Sequence, residues 1–447
     1  MNIMKRRDTL MTEGVIWKQL LLFAVPLLIG NLFQQFYNLA DTLVVGNYVG
    51  KEALAAVGST GTIINTLIGF FLGLSMGGSV VVSQYYGAKD DRNVHDAVHT
   101  TLFITIILGV IFTVAGYFLV PHMLRLMSTP TDVFEEAKIY LQIYFLGISG
   151  LMVYNMGSGI LRAVGNSRYP LYFLIFSAIL NIILDLVFVL FFGMGVAGVA
   201  YATIISQIIS AILILFVLSR VDGSYRVIFR DIRPHKEMLK KILTIGFPSA
   251  LQLSLTSFSN VFVQSYINSF GSSCMAGWSV YGKIDQFALL PMQNLSMAST
   301  TFVGQNLGAK NVKRAKKGIN MALLMSLVST IISLTPVMLF SEQLVYLFNQ
   351  DAGVIEYGSH FLRLISPFYL IVCVNQTYIG SLRGAGDTKA PMAIMLFSFV
   401  LFRQIYLFIV SKTIGTITAV ALGYPVGWVL CSILIYLYFR KSHWERM

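Results

Sequence analysis

Twelve long apolar segments, separated by short polar loops, restrict this chain to one broad class of fold. Each is long enough to cross the ~30 Å apolar core of a bilayer as a helix that rises ~1.5 Å per residue. The apolar runs are continuous rather than alternating, which disfavours a transmembrane β-barrel. The sequence therefore predicts an all-α, multi-pass membrane protein. The segments cover about residues 17–45, 52–83, 93–119, 134–160, 168–192, 196–219, 239–269, 274–304, 314–339, 353–381, 389–411 and 416–439.

The positions of the basic residues predict the orientation of these segments. The formal net charge is +12, but the Lys and Arg residues lie in loops rather than on one soluble unit, so we exclude nucleic-acid binding. The terminal segments and the loops on the side of the N-terminus hold 25 of the 32 Lys and Arg residues, whereas the loops on the other side hold four. The positive-inside rule then places both termini in the cytoplasm. The expected location is the cytoplasmic, or inner, membrane.

An internal repeat divides the chain into two halves. The block SQYYGAK at 83–89 recurs as GQNLGAK at 304–310, and LRAVGNSR at 161–168 recurs as LRGAGDTK at 382–389. Both pairs are separated by 221 residues. Two blocks at one separation indicate the duplication of a six-helix unit. Because six is an even number, the two halves have the same orientation and are related by a pseudo-two-fold axis along the membrane normal.

The predicted architecture is twelve transmembrane helices in two six-helix lobes. The N-terminal lobe comprises residues 1–220, a basic cytoplasmic linker comprises 221–238, and the C-terminal lobe comprises 239–447. This arrangement predicts a central cleft that opens to either side of the membrane when the lobes rock.

The first segment carries a polar stripe. Asn31, Gln34, Asn38 and Asp41 lie on one face of the predicted helix, with Tyr37 at its flank. A charged Asp at such a depth costs about 2.5–3.5 kcal/mol or more, so Asp41 is expected to face protein or water. Contacts between helices are an alternative explanation for Asn31 and Asn38. For Asp41 we favour a functional role.

These motifs resemble those of the multidrug and toxic compound extrusion (MATE) transporters. The resemblance covers nearly the whole chain and implies twelve helices in two lobes with cation-coupled export of organic, often cationic, compounds. It is carried by Ala40-Asp41-Thr42, by Gln84 with Gly87-Ala88, by Leu161–Gly165, by Asn181 with Asp185, by Gly304–Ala309 and by Leu382–Thr388.

The N-terminal lobe contains a candidate coupling site. Asp41, Asp185, Asn181 and Thr203 fall in one depth layer of helices 1, 5 and 6, and the resemblance implies a coupling-ion role for each of them. Two carboxylates in a poorly solvated pocket repel each other, and a proton taken up from outside relieves this repulsion. A small hard cation such as Na⁺ could instead neutralise the pair, with Asn181 and Thr203 completing its oxygen shell. The residues leave H⁺ and Na⁺ open, and no other cofactor is expected.

The C-terminal lobe has a different set of charged residues. Lys283, Asp285, Arg363 and Arg403 lie within the apolar segments, where an unpaired charge is costly. We expect them to form a charge-compensated cluster and rank substrate contact second. One branch of the MATE family has additional acids in helices 7 and 10. The absence of acids from residues 256–259 and 373–376 favours the DinF-like branch.

The predicted substrate cleft includes Gln34, Tyr37 and Asn155, because polar groups on cleft-forming helices have reason to face water. The expected partners are small organic cations and the lipid bilayer, and we expect the chain to function as a monomer. The leading hypothesis is an antiporter that exports cationic, amphipathic compounds in exchange for H⁺ or Na⁺. The alternative is a lipid-linked saccharide flippase, since related families share the architecture. An enzyme is disfavoured, because the sequence has no diphosphate motif, HExxH helix or nucleophile–base pair.

Overall fold

The computed structural model describes residues 10–127 and 129–446, and every regular element in these ranges is a helix. This confirms the predicted all-α class. Within the described residues, ten helical stretches are long and apolar enough to cross a membrane. Two of the twelve predicted segments, about 239–269 and 274–304, do not meet that criterion. Both are helical, but they carry many Ser, Thr and Gln side chains.

Six long helices form the first half of the chain, and two of them continue into a turn of π-helix. These turns, Val45–Val49 and Val187–Phe191, directly follow the first and fifth helices. A π-turn is frequent at functional sites, because it changes the direction of the side chains around it. The helices are α1 (Ile16–Val44), α2 (Lys51–Gly87), α3 (Asp91–Leu126), α4 (Thr131–Ala163), α5 (Arg168–Leu186) and α6 (Gly195–Arg220).

The second half follows the same order but with interrupted helices. The predicted segment 353–381 is broken by a 3₁₀ turn at Ser366–Phe368, where Pro367 cannot donate a backbone hydrogen bond. A π-turn at Phe397–Phe402 interrupts the next segment. The helices are α7 (Lys236–Asn268), α8 (Ser272–Gly308), α9 (Val312–Leu339), α10 (Ser341–Tyr346), α11 (Ala352–Ile365), α12 (Tyr369–Ala385), α13 (Lys389–Leu396), α14 (Arg403–Thr413), α15 (Ile417–Ala421) and α16 (Gly423–Lys441).

The duplication is visible in the backbone as well as in the sequence. Among the described residues, only two that are not glycine have a positive φ: Lys89 (56°) and Lys310 (57°). They occupy the same position of the two repeated blocks, in the turns that end α2 and α8. After each turn a polar side chain caps the next helix: Asp90 accepts from the Asn93 N–H at 3.1 Å, and Asn311 from the Arg314 N–H at 3.2 Å. The repeated blocks therefore encode the same turn and cap twice.

The chain forms two compact units. The first contains Val25–Gly246, and the second contains Met11–Ala24 together with the chain from Phe247 onward. The unit boundaries thus fall inside α1 and α7, whereas the sequence analysis placed the lobe boundary in the linker at 221–238. Each unit has its own apolar core. Phe71, Leu141 and Phe145 belong to a core of the first unit, and Trp278 and Phe361 to a core of the second.

Candidate functional site

Three of the four predicted coupling residues form a hydrogen-bonded group in the first unit. The network orients the Asn181 amide so that its nitrogen donates to Asp41 Oδ1 at 2.9 Å and its oxygen accepts from the Thr203 N–H at 3.2 Å. The Thr203 hydroxyl donates to the Val199 carbonyl, one turn earlier in α6, at 3.0 Å. Asn181 therefore links α1 to α6, and it does so from α5.

Asp185 completes the group but has no hydrogen-bond donor of its own. Its side chain is fully buried, and its carboxyl group lies close to that of Asp41. Among the described residues, neither carboxyl oxygen of Asp185 has a donor partner. Two ionised carboxylates cannot donate to each other, so the pair repels until a proton or another cation enters. Asp41, on α1, is partly exposed.

Tyrosine side chains surround this pair, and sequence reasoning identified only one of them. Tyr37 lies close to both carboxyl groups, as does Tyr140 on α4. Tyr144 lies one turn beyond Tyr140, with the two ring centroids 6.5 Å apart. The i, i+4 spacing of Tyr140 and Tyr144 indicates that both rings lie on one face of helix 4. It could not show that the face points to Asp41, because that depends on how α4 packs.

A cavity of about 60 Å³ lies beside the coupling residues. Its volume allows several water molecules, since about 10–15 Å³ of such volume suffices for one. The predicted Gln34, Tyr37, Asn181 and Thr203 line it. So do five polar residues that the sequence analysis did not identify: Tyr154, Ser177, Ser206, Gln207 and Ser210. Asn181 and Thr203 therefore border a cavity that is lined largely by polar side chains of the first unit.

Asn155 does not share this cavity. Its side chain is buried, and its Nδ2 donates to the Leu151 carbonyl of its own helix at 2.9 Å. The Asn155 carbonyl accepts from the Ser75 hydroxyl at 2.9 Å, so this position joins α4 to α2. The structure thus gives no support to the predicted place of Asn155 in a substrate cleft. The side chain bonds within α4, and the backbone carbonyl makes the contact with α2.

The predicted charge-compensated cluster in the C-terminal half is wrong. Asp285 accepts from the Tyr281 hydroxyl at 3.3 Å and from the Tyr369 hydroxyl, and among the described residues no Lys, Arg or His nitrogen pairs with it. The expected bases have other partners, because they lie on helices whose packing turns them away. Arg363 pairs with Glu342 at 2.8 Å, Arg403 donates to Ser259 and Asn260, and the Lys283 ammonium lies 5.8 Å from the centroid of the Phe348 ring.

Arg403 is held by other groups, although its Nε has no hydrogen-bond partner among the described residues. The side chain is 2% exposed, and its Nη2 donates to Ser259 Oγ and Asn260 Oδ1, each at 2.9 Å. The guanidinium lies 4.7 Å from the centroid of the Tyr424 ring. Two neutral acceptors and an aromatic face stabilise this buried cation without a carboxylate.

Comparison with known proteins identifies the family. A family model described as MatE matches residues 26–187 and again 248–409, one match in each half of the chain. The chain is 31% identical over 98% of its length to a probable multidrug resistance protein, YpnP, of Bacillus subtilis, and covers 97% of that protein. It is 26% identical over 96% of its length to the probable multidrug resistance protein NorM of Thermotoga maritima, of which it covers 94%.

A solved structure extends the likeness to three dimensions. The outward-facing conformation of a multidrug resistance MATE family transporter of the MOP superfamily matches with a TM-score of 0.92 at 25% identity. The match covers 99% of this chain and all of that one. These likenesses favour neither an enzyme nor the flippase alternative. The duplicated match, the full-length relatives and the shared fold show that this chain is a multi-pass membrane transporter of the MatE family.

Proposed function

We propose that this protein is an antiporter in the cytoplasmic membrane, with both termini in the cytoplasm, that exports organic cations in exchange for H⁺ or Na⁺. The names of its relatives, which are multidrug resistance proteins, support a broad range of exported compounds. The polar, aromatic surroundings of Asp41 and Asp185 support cation coupling in the first unit.

One observation carries this proposal. Asp185 is fully buried with both carboxyl oxygens lacking a donor among the described residues, and it faces a second carboxyl group. A purely structural network would satisfy these oxygens, because an unpaired buried charge is strongly destabilising. An exchangeable cation removes the free-energy cost of the unpaired buried charge only while it is bound. If the cation binds one conformation of the transporter more tightly than another, its binding and release change their relative stability.

The orientation of Asn181 supports a proton over Na⁺. Its nitrogen, a donor, faces Asp41, while its oxygen is engaged by the Thr203 N–H. Na⁺ requires oxygen ligands, so it would need the Asn181 amide to turn its oxygen toward Asp41, whereas Thr203 keeps its oxygen lone pairs while it donates to Val199. A proton shared between the two carboxyl groups does not require Asn181 to turn.

Transport into proteoliposomes tests the coupling. We expect uptake of a fluorescent organic cation to follow an imposed pH gradient, and to be unaffected when Na⁺ is replaced by K⁺. Asp41→Asn and Asp185→Asn should each reduce driven transport to the background, because a side-chain amide does not take up and release a proton as a carboxyl group does. Asp132→Asn is the matched control, since Asp132 is an exposed acid in the first turn of α4.

Two results would contradict the proposal. Gradient-driven transport at the wild-type level by either Asn variant would remove that residue from coupling. Export that responds to neither gradient, together with accumulation of a lipid-linked saccharide in cells lacking the protein, would indicate a flippase instead.

A further inference from the structure

The C-terminal half contains an acid, Asp285, within a predicted membrane segment, and the proposed coupling mechanism does not use it. Asp285 lies 13 residues from the start of α8 at Ser272, or ~20 Å along the helix at ~1.5 Å per residue. It is therefore near the middle of the segment 274–304, which the sequence predicts to cross the membrane. At this depth a carboxylate that faces lipid is costly, so its open side is expected to meet water or a ligand.

Two tyrosines hold Asp285 in one orientation. The hydroxyls of Tyr281, one turn earlier on α8, and Tyr369, at the start of α12, both donate to the same oxygen, Oδ1. Both tyrosine side chains are nearly fully buried, at 4% and 1% exposure. Asp285 itself is partly exposed. The carboxylate is thus fixed on one side, and the other oxygen is left for a partner that the described residues do not provide.

The helix that carries Tyr369 is interrupted at this point. The 3₁₀ turn Ser366–Phe368 separates α11 from α12, and Tyr369 is the first residue of α12. Discontinuous membrane helices typically mark ligand sites, because the break places backbone and side-chain polar groups at the middle of the membrane.

Open space lies next to Asp285 on the same face of α8. Gly282 is one turn before Asp285, and a Cβ at this position would meet no atom within 4 Å. Most helical glycines in this chain lie against a neighbouring helix; at Gly277, for example, a Cβ would lie 2.8 Å from the Tyr357 Cβ. The glycine at 282 leaves open space one turn from Asp285, whose side chain is partly exposed.

We propose that Asp285 is the recognition site for the positive charge of the exported organic cation. The inference rests on the proposed function, because it assigns the substrate to one half of the chain and the coupling ion to the other. Tyr281 and Tyr369 both donate to one carboxylate oxygen, Oδ1, so the negative charge of Asp285 stays available on its partly exposed side. An ammonium or phosphonium centre needs only the carboxylate charge and aromatic surroundings. Trp278 provides part of these, with its ring centroid 4.8 Å from that of Tyr281.

Equilibrium binding by the purified, detergent-solubilised protein tests this site without any gradient. The probe is tetraphenylphosphonium, and triphenylphosphine oxide serves as a neutral aromatic comparison. We expect the wild type to prefer the cation, and Asp285→Asn to weaken cation binding about tenfold or more, which corresponds to ~1.4 kcal/mol per factor of ten. Binding of the neutral compound should be unchanged. Glu356→Gln, an exposed acid on α11, is the control for a change of charge in the same half.

Two further variants keep the test decisive if Asp285→Asn does not fold. Asp285→Glu retains the charge but moves it, so it should weaken cation binding and leave the neutral compound unaffected. Gly282→Phe fills the open space and should exclude tetraphenylphosphonium, whereas Gly282→Ala should not. Unchanged preference for the cation in Asp285→Asn, or tetraphenylphosphonium binding at the wild-type level by Gly282→Phe, would overturn the proposal.

The proposed function and this inference fail in different ways. Asp41→Asn should lose driven transport but, at a low pH where the wild-type carboxyl pair holds its proton, bind tetraphenylphosphonium within about threefold of the wild type, which is under ~1 kcal/mol. If Asp285→Asn binds the probe normally but no longer responds to a pH or Na⁺ gradient, then Asp285 belongs to coupling and the substrate site is elsewhere. If Asp41→Asn retains driven transport, the coupling proposal itself is wrong.

Discussion

At the scale of single residues, the two halves accommodate buried charge in opposite ways. The first half has Asp185, a fully buried acid whose oxygens lack a donor among the described residues, beside a second acid, Asp41. The second half has Arg403, a buried cation whose side-chain acceptors, Ser259 and Asn260, are neutral. We expect only the first of these groups to need an exchangeable ion.

Arg403 provides a prediction about stability. Arg403→Gln should destabilise the protein by about 1–3 kcal/mol, because Ser259 and Asn260 lose a buried donor. Arg363→Gln is the comparison within the same unit, since the Arg363–Glu342 pair is about half exposed and such pairs contribute roughly 0–1 kcal/mol. Thermal unfolding in detergent measures both. Equal losses of stability would show that burial does not distinguish these two arginines.

At the scale of helices, the sequence predicted positions better than interruptions. The apolar segment 93–119 lies within α3 and 134–160 within α4, because continuous apolar runs between charged loops can only be membrane helices. Pro367 signalled the break between α11 and α12, but the segment was predicted as one helix. The π-turns after α1 and α5 had no sequence signal that hydropathy could detect, since a π-turn changes hydrogen bonding rather than composition.

In the candidate sites, too, the depth of a residue in the membrane was easier to predict than its contacts with other helices. Asp41, Asn181 and Asp185 could be predicted to meet, because helical spacing and repeat order place them in one layer. The partners of Asp285 could not, because Tyr369 reaches it only through the packing of α12 on α8. The charge-compensated cluster was predicted from depth alone, and depth does not determine which way Arg363 and Arg403 point.

A close approach of two helices in the first unit provides a prediction at this scale. A Cβ at Gly77 of α2 would lie 2.6 Å from the Gly246 Cα of α7, which no rotamer change can relieve. Gly77→Val should therefore destabilise the arrangement seen here by about 1–3 kcal/mol. Any conformation in which these helices separate becomes more populated, so transport should slow. Gly61→Val is the matched control on α2, because a Cβ at Gly61 meets nothing within 4 Å.

Transport by both valine variants in proteoliposomes checks this prediction. We expect Gly61→Val to match the wild type, and Gly77→Val to transport more slowly while it still binds tetraphenylphosphonium. Identical rates for the two variants would show that the contact between α2 and α7 persists, or is immaterial, throughout transport.

At the scale of the whole molecule, the segments that precede α1 and α7 are each held by side-chain hydrogen bonds. In the second unit Met11 donates its N–H to Gln305 Oε1 at 2.8 Å, and its carbonyl accepts from Asn306 Nδ2 at 3.2 Å. In the first unit the linker is held near the start of α3, where the Ile228 N–H donates to His99 Nε2 at 2.9 Å. Gln305 and Asn306 belong to a repeated block but His99 does not, so these contacts differ between the halves, as do the sites built on each half.

This divergence predicts a linkage between proton and substrate. If protonation of Asp41 and Asp185 favours one conformation and an organic cation at Asp285 favours another, each ligand must weaken the other by the same factor, typically roughly 5- to 150-fold. The affinity of the purified protein for tetraphenylphosphonium should then rise with pH, as the carboxyl pair loses its proton. Asp185→Asn should flatten this dependence, whereas Asp285→Glu should lower the affinity at every pH without removing the slope. A wild-type affinity independent of pH would show that the two sites are not coupled through protons, and the same titration with Na⁺ would then decide whether sodium takes that role.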